Sequence, residues 1–449
     1  MEIAIKLSQF LLSLSILIIL HELGHFIPAK LFKTRVEKFY LFFDIKYSLL
    51  KKKIGETEYG IGWLPLGGYV KISGMIDESM DTEQMAQEPQ PWEFRSKPAW
   101  QRLIIMLGGV TVNFILAFII YIGMAYAYGE QFIANNDLKE GVWVTNPVIE
   151  KAGIKTGDKI VSINGKPMDR FNDLAKNLYT AREVVVERNG QQQTIKFPIN
   201  IINQISNSGR KHSLVELRIP FVVSEVSKSS PNNSTLKSKD IITSFNGKPV
   251  RYADEIISEF DKFKGQTVPV VVKRDNQLVA TTIKFNDSAK LGVVYPNRIP
   301  LSNIEKLNLY KVNKHEYGFF ESIPVGLRVG AETLIGYGEN LMTIFNPKTE
   351  AYKEVGGFAA IFNIFPNSWS WEAFWNITAL LSIMLGVMNL LPIPALDGGH
   401  VMFLLYEIIS GRKPSDKFLE KAQLVGFVLL ISLLLFANGN DIYKAIVGK

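Results

Sequence analysis

The sequence contains no cysteine. Disulfides and thiolate-bound metal are therefore excluded, and any metal must be held by histidine or carboxylate. No helix-turn-helix or zinc-finger spacing is present, and the lysines and arginines gather beside apolar runs rather than on a basic domain. The net charge of +7 thus reads as a membrane topology signal, and no nucleic-acid partner is expected. The first apolar run has no small-residue cleavage site after a short core, so it reads as a span rather than a removable signal peptide. Histidine is scarce, at five residues, and this makes the placement of each one informative.

What the chain has is apolar length. It is 47% hydrophobic and also 21% charged over 449 residues, so it combines membrane segments with soluble domains. Long apolar segments lie at about 3–31, 103–128, 374–409 and 422–436. A bilayer crossing needs roughly 20 such residues. Lys30, Lys33, Arg35, Lys38, Lys46 and Lys51-Lys52-Lys53 separate the first two. Arg412, Lys413 and Lys417 separate the last two. Short positive loops stay in the cytoplasm. Four spans then place both termini and residues 129–373 outside it, with the start of the chemistry nearer the cytoplasmic end of the first span.

That chemistry begins at His21-Glu22-Leu23-Gly24-His25, inside the first apolar run. Ionisable residues at membrane depth are costly and face an interior task. On a helix His21 and His25 lie one turn apart on one face, a spacing that holds zinc with the intervening Glu22 as general base. Pro28 removes a donor and crowds the carbonyl of Gly24, which predicts a kink or unwinding just past His25. A catalytic zinc usually keeps three protein ligands and one open position. The run Asn389-Leu390-Leu391-Pro392-Ile393-Pro394-Ala395-Leu396-Asp397-Gly398-Gly399-His400 breaks the third apolar segment. Irregular backbone at that depth must line a cavity or be buried in protein. Asp397 is the expected third ligand, with N-cap of the restarting helix as its other role; His400 is the rival ligand. His212 and His315 sit outside any motif and read as solvated residues.

The soluble part carries a repeat. GDKIVSINGKPM at 157–168 aligns without gaps to KDIITSFNGKPV at 239–250. Each reads as a short strand ending in an Asn-Gly turn, and the spacing fits two whole domains. From Phe320 the apolar residues Ile323, Leu327, Leu334, Tyr337, Leu341 and Ile344 keep helical spacing. Glu321, Arg328, Glu332 and Glu339 argue against a span. The segment is expected to lie on the membrane surface or against the second repeat domain.

HELGH in the first span, paired with NLLPIPALDGGH in a late one, resembles the site-2 protease family of intramembrane zinc metalloproteases. Phe94–Arg102 with Leu107-Gly108-Gly109 and Asn113-Phe114 resembles the family's entry to its second span. Leu64–Lys71 resembles its membrane-associated β-hairpin, and Ala152–Asp158 resembles a PDZ signature. The likeness is greatest to the bacterial regulator of sigma E protease branch. It implies a polytopic α-helical membrane protein of four spans, with a membrane-associated β-hairpin (55–73) and two inserted extracytoplasmic PDZ domains of α+β type. The expected division is 1–128 and 374–449 for the membrane halves, 130–218 and 219–298 for the PDZ domains, and 299–373 for a linker with an interfacial helix.

The resemblance further implies Zn2+ held by His21, His25 and Asp397, Glu22 as the catalytic base, and Asn389, Gly67, Gly68 and Tyr69 as substrate-binding residues. It implies single-span substrates already trimmed outside, such as anti-sigma factors, and signal-peptide remnants. The setting would be a bacterial inner membrane, with the PDZ domains periplasmic and the active site toward the cytoplasm. The PDZ pair would act either as a steric filter or by adding a peptide strand to a sheet edge. An inactive PDZ scaffold and a metal transporter are the competing classes. The complete set His21, Glu22, His25 and Asp397 argues against the first, and the shortage of charged groups along any membrane path argues against the second.

Overall fold

The computed structural model describes residues 2–65, 67–75, 88–208, 213–295, 304–305 and 309–447. The chain divides into two compact units, one made of 1–129, 316–345 and 353–448, the other of 130–315 and 346–352.

The first unit combines long helices with one sheet. Helix α1 covers Glu2–Leu31, followed by strands β1 (Val36–Leu41), β2 (Phe43–Ile54), β3 (Thr57–Leu64) and β4 (Tyr69–Ile72). Helix α2 is Ala99–Tyr128. Among the described residues four helices are long and apolar enough to span: α1, α2, Trp371–Leu390 and Asp416–Ile446. Pro28 sits inside α1 without ending it; the helix runs on to Leu31, contrary to the expected unwinding. The proline falls only one turn before the end, so little helix remains beyond it to disturb. Gly24 and Gly108 meet backbone to backbone, so closely that a β-carbon on either would overlap the other. The small-residue contact seats α1 on α2, as small residues do between membrane helices.

The sheet has the order β2-β3-β1-β4. Its hairpin is β2 with β3, turning at Gly55 (φ 61°). Residues 55–73 are thus not a hairpin in themselves. They supply β3 and β4, which do not pair together because β1 lies between them, parallel to β3 and antiparallel to β4. A parallel neighbour leaves no local turn signal, so sequence spacing could not show it.

The second unit holds two α+β modules. In the first, strands β5 (Glu130–Ile133), β6 (Val142–Val144), β7 (Lys159–Ile163), β8 (Lys166–Pro167), β9 (Glu183–Arg188), β10 (Gln191–Lys196) and β11 (Val215–Leu217) accompany helices α3 (Pro147–Ala152), α4 (Phe171–Leu178) and α5 (Ile201–Asn207). The second has β12 (Phe221–Val222), β13 (Glu225–Val226), β14 (Ile241–Phe245), β15 (Lys248–Pro249), α6 (Ala253–Ile257), β16 (Thr267–Arg274), β17 (Gln277–Lys284) and β18 (Val293–Val294). The sequence repeat becomes a structural one. β7 and β8 turn through Asn164 (φ 51°) and Gly165 (φ 75°), β14 and β15 through Asn246 (φ 51°) and Gly247 (φ 76°). Left-handed conformation at both turn residues is what the Asn-Gly pair supplies. Buried Asp158 accepts from Arg188 and from the Lys155 N–H; buried Asp240 accepts from Arg274 and from the Lys237 N–H.

Within the segment 299–373, two stretches pack against the folded units. Ile304, Leu309, Tyr310 and Val312 pack into the first module's core, and β19 (Val312–His315) pairs with β5. The chain returns to the first module after completing the second, a non-local pairing with no short-range signature. Helix α7 (Phe319–Phe345) belongs to the first unit and lies along α2, with Gly326 against Ile122 and Gly330 against Phe118. It is held by a helix long and apolar enough to span a membrane. Helix α8 (Phe358–Ile364) precedes α9 (Trp371–Leu390), α10 (Asp397–Ser410) and α11 (Asp416–Val447).

Candidate metal centre

Helical spacing puts His21 and His25 on one face of α1, and the glycine contact turns that face to α2. Their rings stand edge to face, centroids 4.9 Å apart at 84°. The break between α9 and α10 delivers Asp397 to the same point. Its Oδ2 lies 3.4 Å from His21 Nε2 and 3.3 Å from His25 Nε2, and the two Nε2 atoms are 3.4 Å apart. One ligand atom from each residue lies within 4.8 Å of the others. The donor set fits zinc. Tetrahedral bonds of about 2.0–2.1 Å to nitrogen and oxygen give ligand edges of about 3.3–3.4 Å. Asp397 Oδ2 is moreover buried with no hydrogen-bond partner. A carboxylate oxygen in that state wants a cation.

Both imidazoles are oriented from α2. His25 Nδ1 is 2.8 Å from the Ile105 carbonyl, which can only accept. The proton therefore sits on Nδ1 and leaves the Nε2 lone pair facing Asp397. His21 Nδ1 lies 3.0 Å from the side-chain amide of Asn113, a fully buried residue whose Oδ1 has no partner as placed. The amide nitrogen and oxygen are interchangeable by a half-turn. With Oδ1 toward the ring, Asn113 accepts from Nδ1–H and gives His21 the same tautomer as His25. Gly109 completes the seat, since a β-carbon there would overlap both rings.

None of Asn113, the Ile105 carbonyl or Gly109 was assigned to the site from sequence. Asn113 carried the one usable signal, an amide within an apolar span. We expect Asn113→Leu to weaken zinc binding by about 10–100-fold, the usual effect of losing a histidine's outer partner. Competition against a chelator of known affinity measures it; unchanged affinity would show that Asn113 only packs.

The other predicted residues fall into place unequally. Glu22, Asn389, Gly67, Gly68 and Tyr69 line one cavity of about 670 Å³ with the three ligand candidates. Asn389 Nδ2 is 3.3 Å from His21 Nε2. Gly68 packs on Ile18 and the Tyr40 carbonyl at the rim, beside Glu22. Tyr69 opens β4, and its hydroxyl donates to Asp44 at 2.8 Å while its ring stacks on Tyr40 and Phe43. Among the described residues β4 is an edge strand, paired only with β1. Asp397 is not the N-cap of α10: Leu396 holds that position and Asp397 is the first helical residue. His400 borders the cavity but lies outside the ligand group. His315 lies on β19, and His212 lies outside the described residues.

Comparison with known proteins agrees with this chemistry. The profile of Peptidase family M50 matches residues 9–433. A protein of Rickettsia conorii named "Putative zinc metalloprotease" is 26% identical over 444 residues, covering 96% of this chain and 97% of its own. One of the same name from Fusobacterium nucleatum is 28% identical over 439 residues, with 96% of each covered. The "Regulator of sigma E protease" of Haemophilus influenzae is 26% identical over 469 residues, covering 98% of this chain and 99% of its own. Among solved structures, the PDZ domain of an SdrC-like protein from Listeria monocytogenes matches 19% of this chain and 90% of its own, at 20% identity and a TM-score of 0.16. The chain belongs to peptidase family M50 and is a zinc metalloendopeptidase of the membrane.

Proposed function

We propose that this M50 peptidase cuts peptide bonds within transmembrane segments at the site formed by His21, Glu22, His25 and Asp397. The observation that carries the reading is the convergence of His21, His25 and Asp397 within 4.8 Å, from two distant parts of the chain. The Nε2 atoms of both histidines and the Asp397 carboxylate would hold the zinc. When bound there, zinc supplies Lewis acidity, polarising a carbonyl and acidifying water. Glu22, in the same cavity wall, takes the proton of the attacking water and passes it to the leaving amine. Asn389 donates from its side-chain amide toward the substrate backbone or the developing oxyanion.

A bond inside a membrane helix is shielded by its own hydrogen bonds, so the substrate must be held extended. The edge strand β4, reached through Gly67-Gly68-Tyr69, offers replacement backbone partners beside Glu22. Substrates of this kind are single-span proteins trimmed beforehand on the outside, such as anti-sigma factors, together with signal-peptide remnants. The name of the Haemophilus influenzae relative supports that class. The two modules, read as PDZ domains of 130–218 and 219–298, would lie in the periplasm of a bacterial inner-membrane protein. The site would then open toward the cytoplasmic side.

The test uses purified enzyme in liposomes and one transmembrane substrate made with and without a folded outer domain. The intact chain should cleave only the trimmed form. Removing 130–315, so that β19 leaves together with its partner β5, should preserve cleavage that depends on Glu22, since no proposed site residue lies there. It should also admit the bulky form if the modules filter by size. Loss of cleavage of both forms in a deletion that still binds zinc would assign the modules to recruitment. No cleavage of either form by the intact chain would reject the proposed substrates.

A further inference from the structure

The break that delivers Asp397 is built from close backbone contacts. Gly398 packs on the Leu390 and Leu391 carbonyls, and Gly399 on Ile393 and Pro394. Within the loop Ile393 donates to the Leu391 carbonyl, Leu396 to Ile393 and Gly399 to Leu396. Pro392 and Pro394 have no N–H to give. The Ala395 N–H donates out of the loop, to Gln423 Oε1 on α11 at 3.1 Å. Ala395 also has φ of +83°, in the left-handed region that a β-carbon disfavours. One turn along the same face of α11, Gly426 rests on Pro394 so tightly that no β-carbon would fit.

Gln423 is itself unusual. It is only 4% exposed, whereas its neighbours Leu424 and Val425 are 51% and 67% exposed. A buried amide on a membrane-spanning helix is costly unless bonded. Here its oxygen secures the strained residue two positions before Asp397. If Ala395 relaxed to negative φ, the chain would enter α10 in another direction and carry the carboxylate off the line of His21 and His25.

We propose that Gln423 is a positioning residue for the metal centre: by accepting from the Ala395 N–H it holds the strained turn that aims Asp397 at the two histidines. The proposal deepens the reading of Asp397 as a zinc ligand and rests on it.

Zinc affinity of the purified full-length chain in detergent, measured by competition with a chromophoric chelator, tests it without reference to proteolysis. Gln423→Met keeps the side chain's volume and removes the acceptor, and should weaken zinc by about 10–100-fold, as losses of outer-shell support do. Gln423→Glu, which keeps an acceptor oxygen at the same position, should keep most of the affinity. Adding Ala395→Gly to Gln423→Met should recover at least half of the loss on a logarithmic scale, because glycine takes φ of +83° unaided.

Wild-type affinity in Gln423→Met would overturn the proposal, as would a double variant no better than Gln423→Met. A Gln423→Met chain that fails to fold, and is returned to folded zinc binding by Ala395→Gly, supports it; failure of that rescue overturns it. Asp397→Ala separates the two readings. Zinc bound normally by Asp397→Ala would reject the ligand assignment and the proposal together. Zinc lost in Asp397→Ala but normal in Gln423→Met would reject the role of Gln423 alone.

Discussion

Glu22→Gln should keep the zinc content of the wild type and lose proteolysis by about 10²–10⁴-fold, the usual contribution of a general base. The two effects separate because the residue borders the cavity while the proposed ligand atoms belong to His21, His25 and Asp397. The amide nearly matches the carboxylate in shape, so the packing of α1 on α2 through Gly24 and Gly108 is untouched. What is lost is the proton acceptor. Metal analysis of the purified variant, beside its rate on a single-span substrate, gives both numbers. Turnover close to wild type would remove Glu22 from the chemistry. A fall in zinc matching the fall in rate would make it a support of the site rather than its base.

Asp397→Ala should empty the site and abolish activity, while His400→Ala should leave most of the zinc in place. The expectation rests on geometry. Asp397 Oδ2 lies 3.3–3.4 Å from both Nε2 atoms, whereas His400, one turn further along α10, stays outside the ligand group. Removing the carboxylate also takes the anionic member out of the proposed ligand set, leaving two imidazoles to hold a dication in a poorly solvated place. Asp397→Asn should fall between, since an amide oxygen binds metal weakly and brings no charge. Zinc lost only in the His400 variant would reverse the assignment.

Short-range physics made a large part of this protein legible in its sequence. Helical periodicity places His21 and His25 on one face whatever surrounds them, and the length of apolar runs sets where spans occur. The Asn-Gly pairs at 164–165 and 246–247 fix their turns because those residues tolerate positive φ. The two prolines before Asp397 announce a broken helix, since each constrains the residue ahead of it. These features need only neighbours within a turn or two.

Other features depend on which surfaces meet. β1 slips between β3 and β4 through a parallel pairing, and β19 returns to β5 across the whole second module. The same local pattern would suit several such placements, and only the packed chain selects one. The convergence of Asp397 on the two histidines, their Asn113 and Ile105 partners and the bond from Ala395 to Gln423 are of this second kind. The sequence alone determined which residues have the chemistry for zinc hydrolysis. Tertiary structure decided which of them converge, because angstrom-level convergence follows from glycine-mediated contact between helices far apart in the chain and not from any periodicity within one.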